Sequence, residues 1–146
     1  MENFPSINNV RCIEKPQNPF IDIVHIYVYI LAMKTVNFYQ TTSGKCPVGD
    51  HLNTLTDAQA KKVAWVLKLI REINQVPSKY FKKLVNTNDI WEVRIDVGKV
   101  TFRLLGFFYG HDLIILTNSF QKKSQKTPAM EIQLAENRKK KYLSRR

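Results

Sequence analysis

Arg94 and Arg103 are the residues whose types and spacing most invite chemistry. Arg94 belongs to an alternating run, Ile90 to Val97, in which Trp91, Val93 and Ile95 project to one side of a strand and Glu92, Arg94 and Asp96 to the other. Arg103 stands in the middle of TFRLLGFFYG, where a charge is costly unless it reaches solvent, a partner or a ligand. A hairpin turning at Gly98-Lys99 sets the two arginines opposite one another, close enough to share one anionic ligand. The competing reading is an ordinary arginine neutralised by Glu92 or Asp96.

A second cluster follows at Phe120-Gln121-Lys122-Lys123-Ser124-Gln125-Lys126. Lysines, a glutamine and an aromatic are the parts that hold phosphates and stack a base. Thr127-Pro128 reads as a cap and first-turn proline, so a helix N-terminus adds partial positive charge beside the lysines. The plainer alternative is a solvated charged loop.

Other chemistries find few parts. His25, His51 and His111 have no metal-ligand spacing to one another or to Cys12 and Cys46, and read as structural or solvated. Gly44-Lys45 lacks the upstream glycine and the following Ser/Thr of a phosphate-binding loop. No Ser–His–Asp or Cys–His arrangement is visible, and carboxylates are too scarce for paired-carboxylate hydrolysis. Neither a metal nor a cofactor is therefore expected.

The whole chain fits this basic theme. Its 146 residues carry 23 Lys and Arg against 12 Asp and Glu, a net charge of +11, which calls for an anionic partner. The charge is uneven: residues 1–32 are net −1, whereas nine Lys/Arg from Gln121 onward face only Glu131 and Glu136. A 44% hydrophobic content supports one compact domain. Two cysteines suit reduced thiols and a cytoplasmic location. The longest apolar run, Ile23 to Met33, is about half the roughly 20 residues of a membrane span, so no membrane role is expected.

The elements that must position these groups begin at Met33. Residues 1–32, broken by Pro5, Pro16 and Pro19, read as an N-terminal extension upstream of a translation start at Met33; the alternative is an extra strand carrying Ile26, Val28 and Ile30. The domain itself is residues 33–146. Lys34 to Thr42 reads as a strand, and Cys46 to Asp50 as a turn or short helix start. A helix capped by Thr56, with Gln59 closing a capping box, buries Val63, Leu67, Ile70 and Ile73. Pro77 ends it and opens a second helix, Ser78 to Val85. Strands over Ile90–Val97, Val100–Tyr109 and Leu113–Phe120 and a terminal helix complete an α+β domain: a small antiparallel sheet, two N-terminal helices and a C-terminal helix, with the helices on one side.

Four segments carry a family resemblance: SGKCPVGDHL (Ser43 to Leu52), YFKKLVNTNDIWEVRI (Tyr80 to Ile95), FRLLGFFYG (Phe102 to Gly110) and FQKKSQKTPAMEI (Phe120 to Ile132). From Lys34 to about Leu143 the chain resembles toxins of the RelE/HigB superfamily, from type II toxin–antitoxin systems, in the phage-derived HigB-like branch. The resemblance implies a metal-independent, ribosome-dependent mRNA endonuclease, neutralised by a helix-turn-helix antitoxin from the same operon. In such enzymes the ribosome presents the message, and the RNA 2′-hydroxyl attacks the neighbouring phosphate. On the matching positions it implies Arg94, Arg103, Lys123 and Lys126 as catalytic groups and Phe120, Lys122 and Gln125 as RNA-positioning groups. The chain departs from the pattern in having no tyrosine or histidine placed after the lysine cluster as acid or base. Two alternatives remain: a non-catalytic ParE-like inhibitor of DNA gyrase, and a basic nucleic-acid-binding module using the Arg138 to Arg146 run.

Overall fold

The computed structural model describes residues 33–145; the proposed extension, with Cys12 and His25, lies outside the described residues. The chain runs β1 (Thr35–Phe38), α1 (Pro47–Leu52), α2 (Asp57–Glu72), β2 (Phe81–Lys83), β3 (Trp91–Val97), β4 (Val100–Tyr109), β5 (Leu113–Gln121) and α3 (Ala129–Ser144). The fold is α+β, around one five-stranded sheet of order β1-β5-β4-β3-β2. It is antiparallel except at one edge, where β1 pairs parallel to β5. That pairing is possible because α1, α2 and three strands separate β1 from β5 in the chain, ample length for a crossover.

The two sheet faces are covered differently. On one, Val63, Val66, Leu67 and Ile70 of α2 and Val48 and Leu52 of α1 pack on Val36, Val93, Ile95, Leu104 and Leu116. On the other, α3 lays Ala135, Ile132 and Tyr142 over Leu105, Phe107 and Ile115. The helices thus lie on both faces, not on one as the sequence led us to expect. β4 explains why: it is apolar on both sides, so each of its faces needs a cover.

Two local expectations also change. Ser78–Val85 is not a helix: after a turn, Phe81–Lys83 pairs antiparallel with Trp91–Val93 as β2, burying Phe81 and exposing both lysines. Tertiary pairing with a free strand edge overrides local helix preference there. Thr127 does not cap α3 either; Pro128 occupies the cap position with no side-chain cap bond, and the Thr127 hydroxyl donates to the Glu92 carboxylate. A buried carboxylate has the stronger claim on a nearby donor.

The Thr56 cap forms as expected. Its Oγ1 accepts from Gln59 N (3.3 Å), while Gln59 Oε1 accepts from Thr56 N (3.0 Å). Thr56→Ala, which deletes the first of these bonds, is expected to lower unfolding free energy by about 1 kcal/mol in a denaturant titration. Ile73, by contrast, is 40% exposed, because α2 ends at Glu72 and Ile73 falls on its C-cap in extended geometry.

Candidate nucleic-acid interface

The β3–β4 hairpin turns at Gly98-Lys99, where Gly98 supplies the positive φ (60°) of a mirror-image two-residue turn. That turn fixes the register, and Arg94 stands directly opposite Arg103. Across the next pairing, Arg103 stands opposite Phe120.

The approach of the lysine segment depends on a bulge. Leu105 pairs with Asn118 but Gly106 with Leu116, so Thr117 is one residue in excess on β5. An extra residue inverts which side chains face which side beyond it. Before the bulge, Ile115 faces α3; after it, Asn118 and Phe120 do. The strand then exits toward the arginines, and Lys122 N donates to Thr101 O (2.8 Å). Arg138 of α3 secures the bulge by donating from Nη1 to Thr117 O (2.7 Å).

Thr101, Arg103, Lys122, Lys123, Ser124 and Gln125 line an open hollow of about 490 Å³. Glu92 lies beneath it as the hub of a polar network. Its Oε1 is 3.2 Å from Arg94 Nε and 3.5 Å from Arg103 Nε, and its other oxygen accepts from Thr127. Both Nε atoms are within ion-pair distance yet make no aligned hydrogen bond. Arg103 Nη1 reaches Asp96 Oδ1 (3.4 Å) and donates to Phe102 O (2.9 Å). Among the described residues no hydrogen bond engages Arg103 Nη2 or either Nη of Arg94.

The reading of arginines neutralised by Glu92 or Asp96 therefore holds. Glu92 pairs with both and Asp96 with Arg103, and the two arginines stand opposite one another in register, each with donors that no hydrogen bond among the described residues engages. The Arg103 side chain is 7% exposed and Arg94 30%, so Arg103 is a fixed wall and Arg94 a partly solvated arm. Two carboxylates face two guanidiniums and the Lys122 and Lys123 ammoniums, leaving the hollow net positive. Burial first, and Arg103 second, push the Lys122 ammonium below its ordinary value, with Glu92 and Asp96 opposing.

The nominated residues separate into groups. Arg103, Lys122, Lys123 and Gln125 line one hollow. Arg94, although paired to Arg103, lines a different one at the β3 edge. Lys126 is exposed beyond the hollow, and its carbonyl accepts from Ser124 Oγ (2.9 Å). Phe120 is half-buried, packed against the cluster of Ile90, Leu105 and Ala135, so its first task is structural. Reading the sequence missed Glu92 as the hub; its place on the arginine side of β3, among charges, was the available signal.

Other ionisable groups serve the fold. His51 Nδ1 is 2.7 Å from Ser119 Oγ and its ring meets Phe102 edge-on; burial lowers its pKa, with Glu131 opposing. His111 is exposed in the β4–β5 turn, at the far end of β4 from Arg103. Much of the C-terminal basic run is engaged internally: Arg138 holds the bulge, Lys139 donates to Asn88 O (2.8 Å) and Arg145 to Gln40 O (2.7 Å). Those bonds count against a nucleic-acid module built on that run. No helix among the described residues is long and apolar enough to cross a membrane.

Residues 50–140 match the family profile described as phage derived protein Gp49-like (DUF891), a span that contains every nominated site residue. A comparison with curated proteins returned no match. With well over half of its length inside the matched span, the chain belongs to the phage-derived Gp49-like family, a family of RelE/HigB-like toxins.

Proposed function

We propose that this toxin is a ribosome-dependent mRNA endonuclease, held in check by a helix-turn-helix antitoxin. The observation that carries the reading is the Arg94–Arg103 pair beside the Lys122–Gln125 hollow. When a 2′-oxygen attacks the adjacent phosphorus, a P–O bond forms as the 5′-oxygen departs, and the phosphorane gains negative charge on the way. Guanidinium groups already fixed by Glu92 and Asp96, with the ammoniums of Lys122 and Lys123 beside them, stabilise that charge. Products are a 2′,3′-cyclic phosphate and a 5′-hydroxyl: the 2′-oxygen gives up one proton, to solvent, and the departing 5′-oxygen takes one up.

Lys122, anchored through its backbone N–H to Thr101 O and lining the hollow with Arg103, is our candidate to supply the proton that the 5′-oxygen takes up. A lysine with lowered pKa is the stronger acid, and burial first, with the neighbouring Arg103 second, lowers that of Lys122. Cleavage should therefore fall as pH rises through the Lys122 pKa, below the ordinary 10.5 of lysine, as the donor becomes neutral. Lys122→Arg keeps the charge but gives up the proton, so cleavage should be about 10²-fold slower and flat over the same alkaline range. Rates in a translating extract across pH check this.

The decisive experiment is induction in a bacterium followed by primer extension on a translated reporter. Cleavage that vanishes when translation is blocked supports the proposal. Intact message with double-strand DNA breaks would replace it with gyrase inhibition, and neither outcome would leave plain nucleic-acid binding.

A further inference from the structure

The second hollow, about 200 Å³, is lined by Lys62, Lys79, Tyr80, Arg94 and Asp96. It exists because β2 covers β3 only from Trp91 to Val93; beyond, Arg94 N donates to Tyr80 O (2.8 Å) and the strand edge opens. Tyr80 meets Trp65 of α2 edge-on at 5.4 Å, and Trp65 is 47% exposed. Lys79 Nζ lies 4.7 Å from the Tyr80 ring centre, and Lys62 Nζ 4.5 Å from that of Trp65 and 5.9 Å from that of Tyr80. Among the described residues neither lysine is ion-paired. Aromatic surface and unspent cations thus meet at the edge of the strand that carries Arg94.

We propose that this hollow is a nucleotide subsite for single-stranded RNA, adjoining the arginine–lysine hollow across the Arg94–Asp96 ridge. The proposal rests on the reading of the protein as an RNA-cleaving toxin and extends it to a neighbouring nucleotide of the substrate. A nucleotide meets each group present. Its phosphate takes the ammoniums of Lys62 and Lys79 and the Nη donors of Arg94. Its base takes the Tyr80 ring, exchanging ring–ammonium contacts for ring–base and ammonium–phosphate ones. The Asp96 carboxylate, an acceptor in the wall, suits a base bearing an amino group and disfavours an acidic peptide. Arg94 and Arg103, partners in register, give one RNA backbone a continuous cationic path between the two hollows.

The test is direct binding of the full chain to a labelled, cleavage-resistant 2′-O-methyl RNA of about ten nucleotides, read by fluorescence anisotropy over a salt series. Tyr80→Ala should weaken binding about 5- to 100-fold, while Tyr80→Phe, which keeps the ring, should bind as the parent does. Lys62→Ala combined with Lys79→Ala should reduce the slope of log affinity against log salt by about 1.4. The lysine pair is exposed or half-buried and keeps the test valid if Tyr80→Ala unfolds. Unchanged affinity and salt slope in the lysine double variant would overturn the subsite, as would no RNA binding by the parent or preference for an acidic peptide. Message cleavage in cells is read separately: cleavage with unaltered variant binding removes the subsite alone, and weakened variant binding without cleavage removes the endonuclease alone.

Discussion

Arg103→Ala is expected to reduce message cleavage by about 10²- to 10³-fold, the effect of deleting one fixed donor from a site that stabilises developing charge. Arg103 is the arginine built into the floor of the larger hollow, and its position is fixed by Asp96, by Phe102 O and by the charge of Glu92. Its removal also takes a cation from beside a buried carboxylate. Glu92 keeps Arg94 at 3.2 Å and the Thr127 hydroxyl, so the fold should lose on the order of 1–3 kcal/mol and still form. Cleavage of a translated reporter and thermal melting, measured on the same variant, separate the two effects. A folded Arg103→Ala protein that still cuts the message at the parental rate would remove the mechanism.

Gly106→Ala is expected to be the most damaging conservative change in the sheet. A Cβ at this position would strike the Ile115 carbonyl oxygen and lie 2.9 Å from Leu116 Cδ2 and 3.0 Å from Leu116 Cα. Two of these three obstacles are backbone of the paired strand, which cannot rotate away. The cost should be about 3 kcal/mol, with a drop of about 10 °C or more in Tm. The larger consequence is functional. Gly106 faces the residue next to the bulge, and the bulge decides whether Phe120 lies opposite Arg103. If β5 relieves the clash by shifting register, the Lys122–Gln125 segment leaves the arginines, and cleavage should fall further than stability alone accounts for. Comparing cleavage at a temperature where the variant remains folded checks that separation. A variant that melts like the parent would show that the strands part here at little cost.

How far the site was legible differs residue by residue. The opposition of Arg94 and Arg103 follows from a two-residue turn and the period of a strand, both local rules, and it holds. The capping box at Thr56 is equally local and also holds. Phe120 was legible as an aromatic beside lysines, but which face it takes depends on Thr117 being bulged, and nothing local marks a bulge. The Lys62–Trp65–Tyr80 group was invisible for the same kind of reason: Lys62 and Trp65 sit on α2, Tyr80 precedes β2, and only packing brings them together. The expected helix at Ser78–Val85 failed where an open edge of β3 offered backbone partners to a short segment.

By itself, the amino-acid sequence determined the basic charge, the α+β composition, the capped α2, the β3–β4 hairpin and the arginine pair it carries. All of these depend on residues close in the chain, whose spacing and side-chain type act directly on φ, ψ and strand period. Only the tertiary structure decided that β1 joins β5 in parallel, that α3 covers the opposite face from α1 and α2, and that Glu92 is buried among two guanidiniums and a threonine hydroxyl. Those outcomes depend on which apolar face finds which cover, and on where a buried carboxylate finds donors. Such questions are settled by the free energy of the whole packed chain and leave no periodic trace in any one segment.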